Sequence, residues 1–206
     1  MPRIICVSIT ALTILVLTTK VFAGDAAALV AGAAVRLGHN DCDTDRVECL
    51  NAISECDQAI AIDPKSAEAY CTRGRAQLIL HEHGKALDDC NSAIDLDPKL
   101  ADAYLVRGDV RIFTREYEKV IEDCNKAISL NATLAEAYCH RGDAWLEKGE
   151  HDKASSDIER ALALDPKLAE GYLERGLLYM HKGKYENSIR ISTYATCGVS
   201  IRSKRV

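Results

Sequence analysis

The chain has 206 residues, 48% hydrophobic and 28% charged, with 26 basic and 31 acidic side chains and a net charge of −5. That balance is too apolar for wholesale disorder and too acidic for a nucleic-acid ligand, which needs a concentrated basic face. Aromatics make up only 5%, which argues against a large aromatic-lined cofactor pocket, and no cofactor is expected.

Residues 1–23 open with Arg3, continue through an uncharged, mostly apolar run from Ile4 to Leu17, and finish on Val21-Phe22-Ala23. This pattern predicts a signal peptide cut after Ala23 and an exported, periplasmic or secreted protein. The run is shorter than the roughly 20 residues that span a bilayer, so the membrane is met only through this segment before cleavage. A retained anchor is the weaker alternative.

Residues 24–46 read as an irregular acidic segment, because His39-Asn40-Asp41-Cys42-Asp43 cannot sustain a helix. His39, Asp41, Cys42, Asp43 and Asp45 lack the spacing of a zinc or calcium site, so no metal is expected and a solvated loop is the reading. From Val47 to Ile62 the sequence is helical in pattern and closes on Asp63-Pro64. The segment 47–66 is thus the second half of an incomplete unit whose first helix is missing or much altered.

A 34-residue period then takes over. Arg73-Gly74, Arg107-Gly108, Arg141-Gly142 and Arg175-Gly176 are each 34 apart; Tyr70, Tyr104, Tyr138 and Tyr172 keep the same step. Ala67, Ala101, Ala135 and Ala169 begin the units, and Asp97-Pro98 and Asp165-Pro166 close two of them. A fixed period of this size is the mark of a solenoid. Within each unit the apolar spacing is helical twice over, with a polar turn at His81-Glu82-His83-Gly84 in the first and at Gly149 in the third. The residue before Pro avoids the helical region, so Asp-Pro ends the second helix. The glycines lower helix propensity by about 1 kcal/mol each relative to Ala; opposite Ala86 and Ala154 they let two helix backbones approach. An aromatic or imidazole ring recurs at His83, Tyr117, His151 and Tyr185, which reads as packing at the turn.

These residues resemble the tetratricopeptide repeat family. The third unit, AEAYCHRGDAWLEKGEHDKASSDIERALALDPKL, is the best copy. The resemblance implies an all-α solenoid of stacked antiparallel helix-turn-helix units forming a right-handed superhelix. The units are 67–100, 101–134, 135–168 and a degraded fourth at 169–191, followed by a tail over 192–206. In the second unit Ala132 stands for the closing Pro and Val120 for an Ala; in the last, Ser188 stands for that Ala and no Asp-Pro follows. All 31 acids and 20 of the basic residues lie between Gly24 and Ile189, whereas Arg190, Arg202, Lys204 and Arg205 leave a basic end. Dimerisation through the last hairpin is left open.

The mature chain keeps Cys42, Cys49, Cys56, Cys71, Cys90, Cys124, Cys139 and Cys197. Cys56, Cys90 and Cys124 are in register, about 10 Å apart on packed helices, too far for a bond, so they read as small buried hydrophobes. A Cys42–Cys56 disulfide pinning the entry segment is the candidate bridge, with Cys42–Cys49 as alternative. Asn131-Ala132-Thr133 fits a glycosylation acceptor. No G-x-S-x-G, Walker loop, dinucleotide fingerprint or Ser-His-Asp order is present, so no catalytic residue is proposed and no enzyme or small-molecule substrate is expected.

By resemblance, the first helices line a concave groove. It would present Glu68, Arg75 and Leu78 from the first unit and Asp102, Leu105, Asp109 and Phe113 from the second. Glu136, Asp143 and Leu146 would follow from the third, then Glu170 and Leu173 from the fourth. The result would be an apolar strip with an acidic edge, suited to a basic or amphipathic peptide segment of a protein partner. The blander alternative is that the acids cap helices and the apolar residues are core. Some family members grip the C-terminal carboxylate of chaperones here. This chain holds Cys71, Arg75, Val106, Glu136 and His140 at those places, and one Arg beside Glu136 cannot make that clamp. The expected function is a non-catalytic protein-interaction scaffold. The alternative is a structural subunit of a cell-envelope assembly using the convex face or last hairpin.

Overall fold

In the computed structural model, residues 25–35, 37, 45–181 and 183 are described. Among them there are nine helices and no strand: α1 over 25–35, α2 Asp45–Ile62, α3 Ala67–Ile79, α4 His83–Leu96, α5 Ala101–Phe113, α6 Tyr117–Leu130, α7 Ala135–Glu147, α8 His151–Leu164 and α9 Ala169–His181. None is long and apolar enough to cross a membrane. Residues 1–23, where a signal peptide is expected, Cys42 and the tail lie outside the described residues.

Each helix starts and stops for a local reason. Asp63, Asp97 and Asp165 accept through Oδ1 from the backbone N–H two residues on, at 3.0, 2.9 and 2.9 Å, folding the Asp-Pro into a tight turn. Asn131 makes the same turn to Thr133 N at 3.0 Å, which is why the second unit closes without Pro. Ser66 caps α3 by accepting from Ala69 N. Between paired helices one residue goes left-handed: His81 (φ 60°), Arg115 (φ 59°), Gly149 (φ 79°) and Gly183 (φ 70°), all in one register. The first turn is tighter than the sequence suggests. α4 begins at His83 and takes in Gly84.

The core is a column of small side chains. Ala59, Ala93, Ala127 and Ala161 expose nothing, nor do Cys56, Cys90, Cys124 and Ile158 three residues before them. A Cβ placed on Gly74 would sit 3.2 Å from Cys90 Sγ and 3.3 Å from the Ala86 carbonyl oxygen, and one on Gly142 3.0 Å from Ile158 Cγ1. These glycines let each first helix close on its own second helix. Burial pushes the Cys56 and Cys71 thiols up to about 12, so they stay protonated and inert.

The N-terminal reading needs correction. Residues 25–35 are helical, not irregular, and Ala26, Val30 and Ala33 are buried there. Ala26 and Val30 pack with Ala59 and Ala69, and Ala33 with Cys49, Ala52, Cys56 and Ala76. The missing first helix therefore exists, displaced upstream of the His39–Asp43 stretch. Alanine, the best helix former, builds it.

Along the stack, α3, α5, α7 and α9 touch in succession, whereas α4, α6 and α8 stay more than 8 Å from one another between Cα atoms. The closely spaced helices are the inner ones. They form the concave side.

Candidate functional site

The inner face is made by α3, α5, α7 and α9. Its first row is acidic: Glu68, Asp102 and Glu136 are exposed and Glu170 half-buried, one from each first turn. There the carboxylates meet the positive ends of the helices.

The next rows are not the apolar strip that the sequence suggests. Leu78, Leu105 and Leu146 are buried, at 3 to 4% exposure. Leu78 packs with Ala86, Cys90 and Val110; Leu105 with Ala127 and Ala137; Leu146 with Ile158 and Leu178. They hold units together and offer a ligand little. Phe113 is half-buried and stacks on His83 at 4.8 Å, completing a turn-edge contact that Tyr117–Glu147 and His151–His181 repeat further along. Leu173 is half-buried. Arg75 and Asp109 are half-buried in matching places on α3 and α5. Of the disulfide candidates, Cys56 is a free, fully buried thiol and Cys42 lies outside the described residues.

Sequence reasoning named His140 and Asp143 among the groove places but missed their burial, and passed over Glu174. His140 is 6% exposed, with Nε2 3.4 Å from Glu170 Oε2. Burial alone would lower its pKa; the negative charges of Glu170, Asp109 and Glu136 outweigh that and raise it to about 9. The imidazole is therefore charged at neutral pH. Asp143 and Glu174 are also buried on this face, one turn along α7 and on α9. The signal was available: His140 and Glu174 are 34 apart, and Asp143 repeats Asp109.

The arginines of the Arg-Gly pairs turn away from this site. Arg73, Arg107 and Arg141 each bond an Asp 16 residues ahead and a residue 16 behind, on the second helices of their own and the preceding unit. Each also lies 5.4 to 5.5 Å over the ring of Tyr70, Tyr104 or Tyr138. Among the described residues there is no cluster suited to a metal ion.

The chain is similar to known proteins in this architecture. Family models of the tetratricopeptide repeat match residues 55–88, 101–134 and 135–168. The crystal structure of MamA is 25% identical, with a TM-score of 0.59, covering 77% of this chain and 94% of its own. TTC0263, a thermophilic repeat protein of Thermus thermophilus, is 21% identical with a TM-score of 0.65, covering 72% and 81%. YrrB, described as having an unusual peptide-binding site, is 22% identical with a TM-score of 0.55, covering 73% and 77%. No curated protein matches. Proteins built of such repeats generally bind protein or peptide partners. The chain is an all-α solenoid that carries tetratricopeptide repeats.

Proposed function

We propose that the protein is a non-catalytic interaction scaffold whose inner face takes up a basic or amphipathic peptide segment of a partner protein. The observation behind this is the run of carboxylates along α3, α5, α7 and α9, while Arg73, Arg107 and Arg141 are committed to acids elsewhere. YrrB, of similar fold, offers a precedent for a peptide site on such a stack.

Charge reversal tests it. Asp102→Lys with Glu136→Lys reverses two exposed edge charges, at a cost of about 0.3–1 kcal/mol each for the lost helix-end charge, so circular dichroism first shows that the variant is folded. Recovery of a bound partner should collapse, and wild-type binding should weaken as salt rises. Unchanged recovery means the inner face is not the binding surface. Export belongs to the same reading: mature protein beginning at Gly24 is the expected product, and intact-mass measurement of the isolated protein checks it.

A further inference from the structure

Each unit hands one apolar side chain to the first helix of the next. Leu37, just past α1, packs into the cluster that holds Ala76 of α3, and Leu78 into the one that holds Val110 of α5. Ile112 meets the cluster of Ala144 on α7, and Leu146 that of Leu178 on α9. The residue that receives always stands two positions before the one that gives: Ala76 before Leu78, Val110 before Ile112, Ala144 before Leu146, Leu178 before Met180. All four receiving residues are 0 to 3% exposed.

The described row stops with half a contact at each end. At the head, Val35 stands two before Leu37, in the receiving place, and is 64% exposed. At the tail, Met180 holds the giving place on α9 and is 43% exposed, where Leu78 and Leu146 are 4% and 3%. Ala28 and Ala31 are exposed on the same face of α1 as Val35, and no charge occurs from Ala26 to Val35. A repeat that ends a soluble stack carries a polar outer face, and α1 does not. We propose that the protein assembles head to tail, α1 of one copy extending the inner row past α9 of another, with Val35 against Met180. The occupant is a second copy because the two open places are the two halves of a contact that the stack already makes four times. A patch that meets a different patch does not close on a pair, so copies add in series. This surface lies apart from the acidic edge, and the proposal is independent of peptide binding.

Sedimentation velocity of the full chain tests it over about 1 to 100 µM, the affinity range of a small contact. The weight-average mass should climb with concentration without levelling at a dimer. The climb should persist in high salt, which screens charges but does not weaken apolar contact. Val35→Asp and Met180→Asp alter exposed side chains, so both should fold, which circular dichroism checks. Each alone should weaken association at least about tenfold, because a carboxylate buried at the contact has no partner. Mixed, the two variants should form a one-to-one complex and nothing larger, since one keeps a sound tail and the other a sound head. A two-fold dimer through the last hairpin would instead ignore Val35→Asp and would not reappear on mixing. That outcome, a monomer across the whole range, or a mixture that stays monomeric overturns the proposal.

Discussion

Arg107 on α5 grips Asp123, 16 residues further on in α6, with two nitrogens, Nε 3.1 Å from Oδ2 and Nη2 2.7 Å from Oδ1. Arg111 adds a third contact at 2.7 Å, and the Asp123 side chain is 4% exposed. A carboxylate held this way is strong only while its partners remain.

Removing Arg107 and Asp123 together should therefore cost less than the sum of removing each. Asp123→Ala leaves Arg107 and Arg111 without their acid and should cost about 3–5 kcal/mol. Arg107→Met with Asp123→Leu should cost distinctly less than the two single changes added together. Urea denaturation of the wild type, Arg107→Met, Asp123→Leu and the double variant measures the coupling.

The inner glycines should not behave alike. At Gly108 an added Cβ would meet Cys124 Sγ at 3.6 Å and Asp123 Cβ at 3.7 Å, ordinary contact distances. Gly108→Ala should stabilise by about 0.5–1 kcal/mol through helix propensity. At Gly142 the same Cβ lies 3.0 Å from Ile158 Cγ1, so Gly142→Ala should destabilise by about 1–3 kcal/mol. Thermal melts of both variants give the signs.

A third expectation concerns the turns. Arg115 and Gly149 occupy the same left-handed position in successive units. A side chain there costs about 1–2 kcal/mol and glycine almost nothing, while glycine adds about 0.5–1 kcal/mol of entropy to the unfolded chain. Arg115→Gly should thus stabilise by up to about 1 kcal/mol, and Gly149→Ala should destabilise by a similar amount. Equilibrium unfolding in denaturant decides it.

His140 makes stability depend on pH. Its folded pKa, about 9, lies above its unfolded value near 6.5, so the folded state binds the proton more tightly. The stabilisation is fully present below pH 6.5 and is lost as pH rises through 9. The melting temperature should fall across that window, and in His140→Gln the fall should be smaller. Unfolded cysteines ionise from about pH 8.5, so the buried thiols add to the fall at the top of the window, equally in wild type and His140→Gln. A wild-type profile flat from pH 6.5 to 9 would contradict the charged assignment.

The fold could be read from the spacing because the residues that repeat are those whose shape the stack requires. Gly74, Ala93 and Tyr104 recur since small groups at the helix crossings and a ring beside the arginine fit the contacts within and between hairpins. α1 escaped because it lies upstream of the register that the His39–Asp43 stretch interrupts, and its Ala-rich run has no Tyr or Arg-Gly to mark it. The arginines were visible only as markers of period; their bonds cross 16 residues in both directions, a distance that only the folded hairpins reveal. Leu78, Leu105 and Leu146 were misassigned to the groove because one helical face serves both ligand and neighbour. Sequence spacing gives the face but not the depth.

One consequence follows from the outer helices' lying more than 8 Å apart. Across that gap α2 and α4 are tethered by Arg73, which reaches Asp57 on one and Asp89 on the other. Asp57 is 56% exposed, so this is a tether that dissolved ions can loosen. At this end of the coil the outer link is ionic, while the inner helices touch directly. Added salt should slacken the coil's pitch and let the groove widen before any hairpin melts.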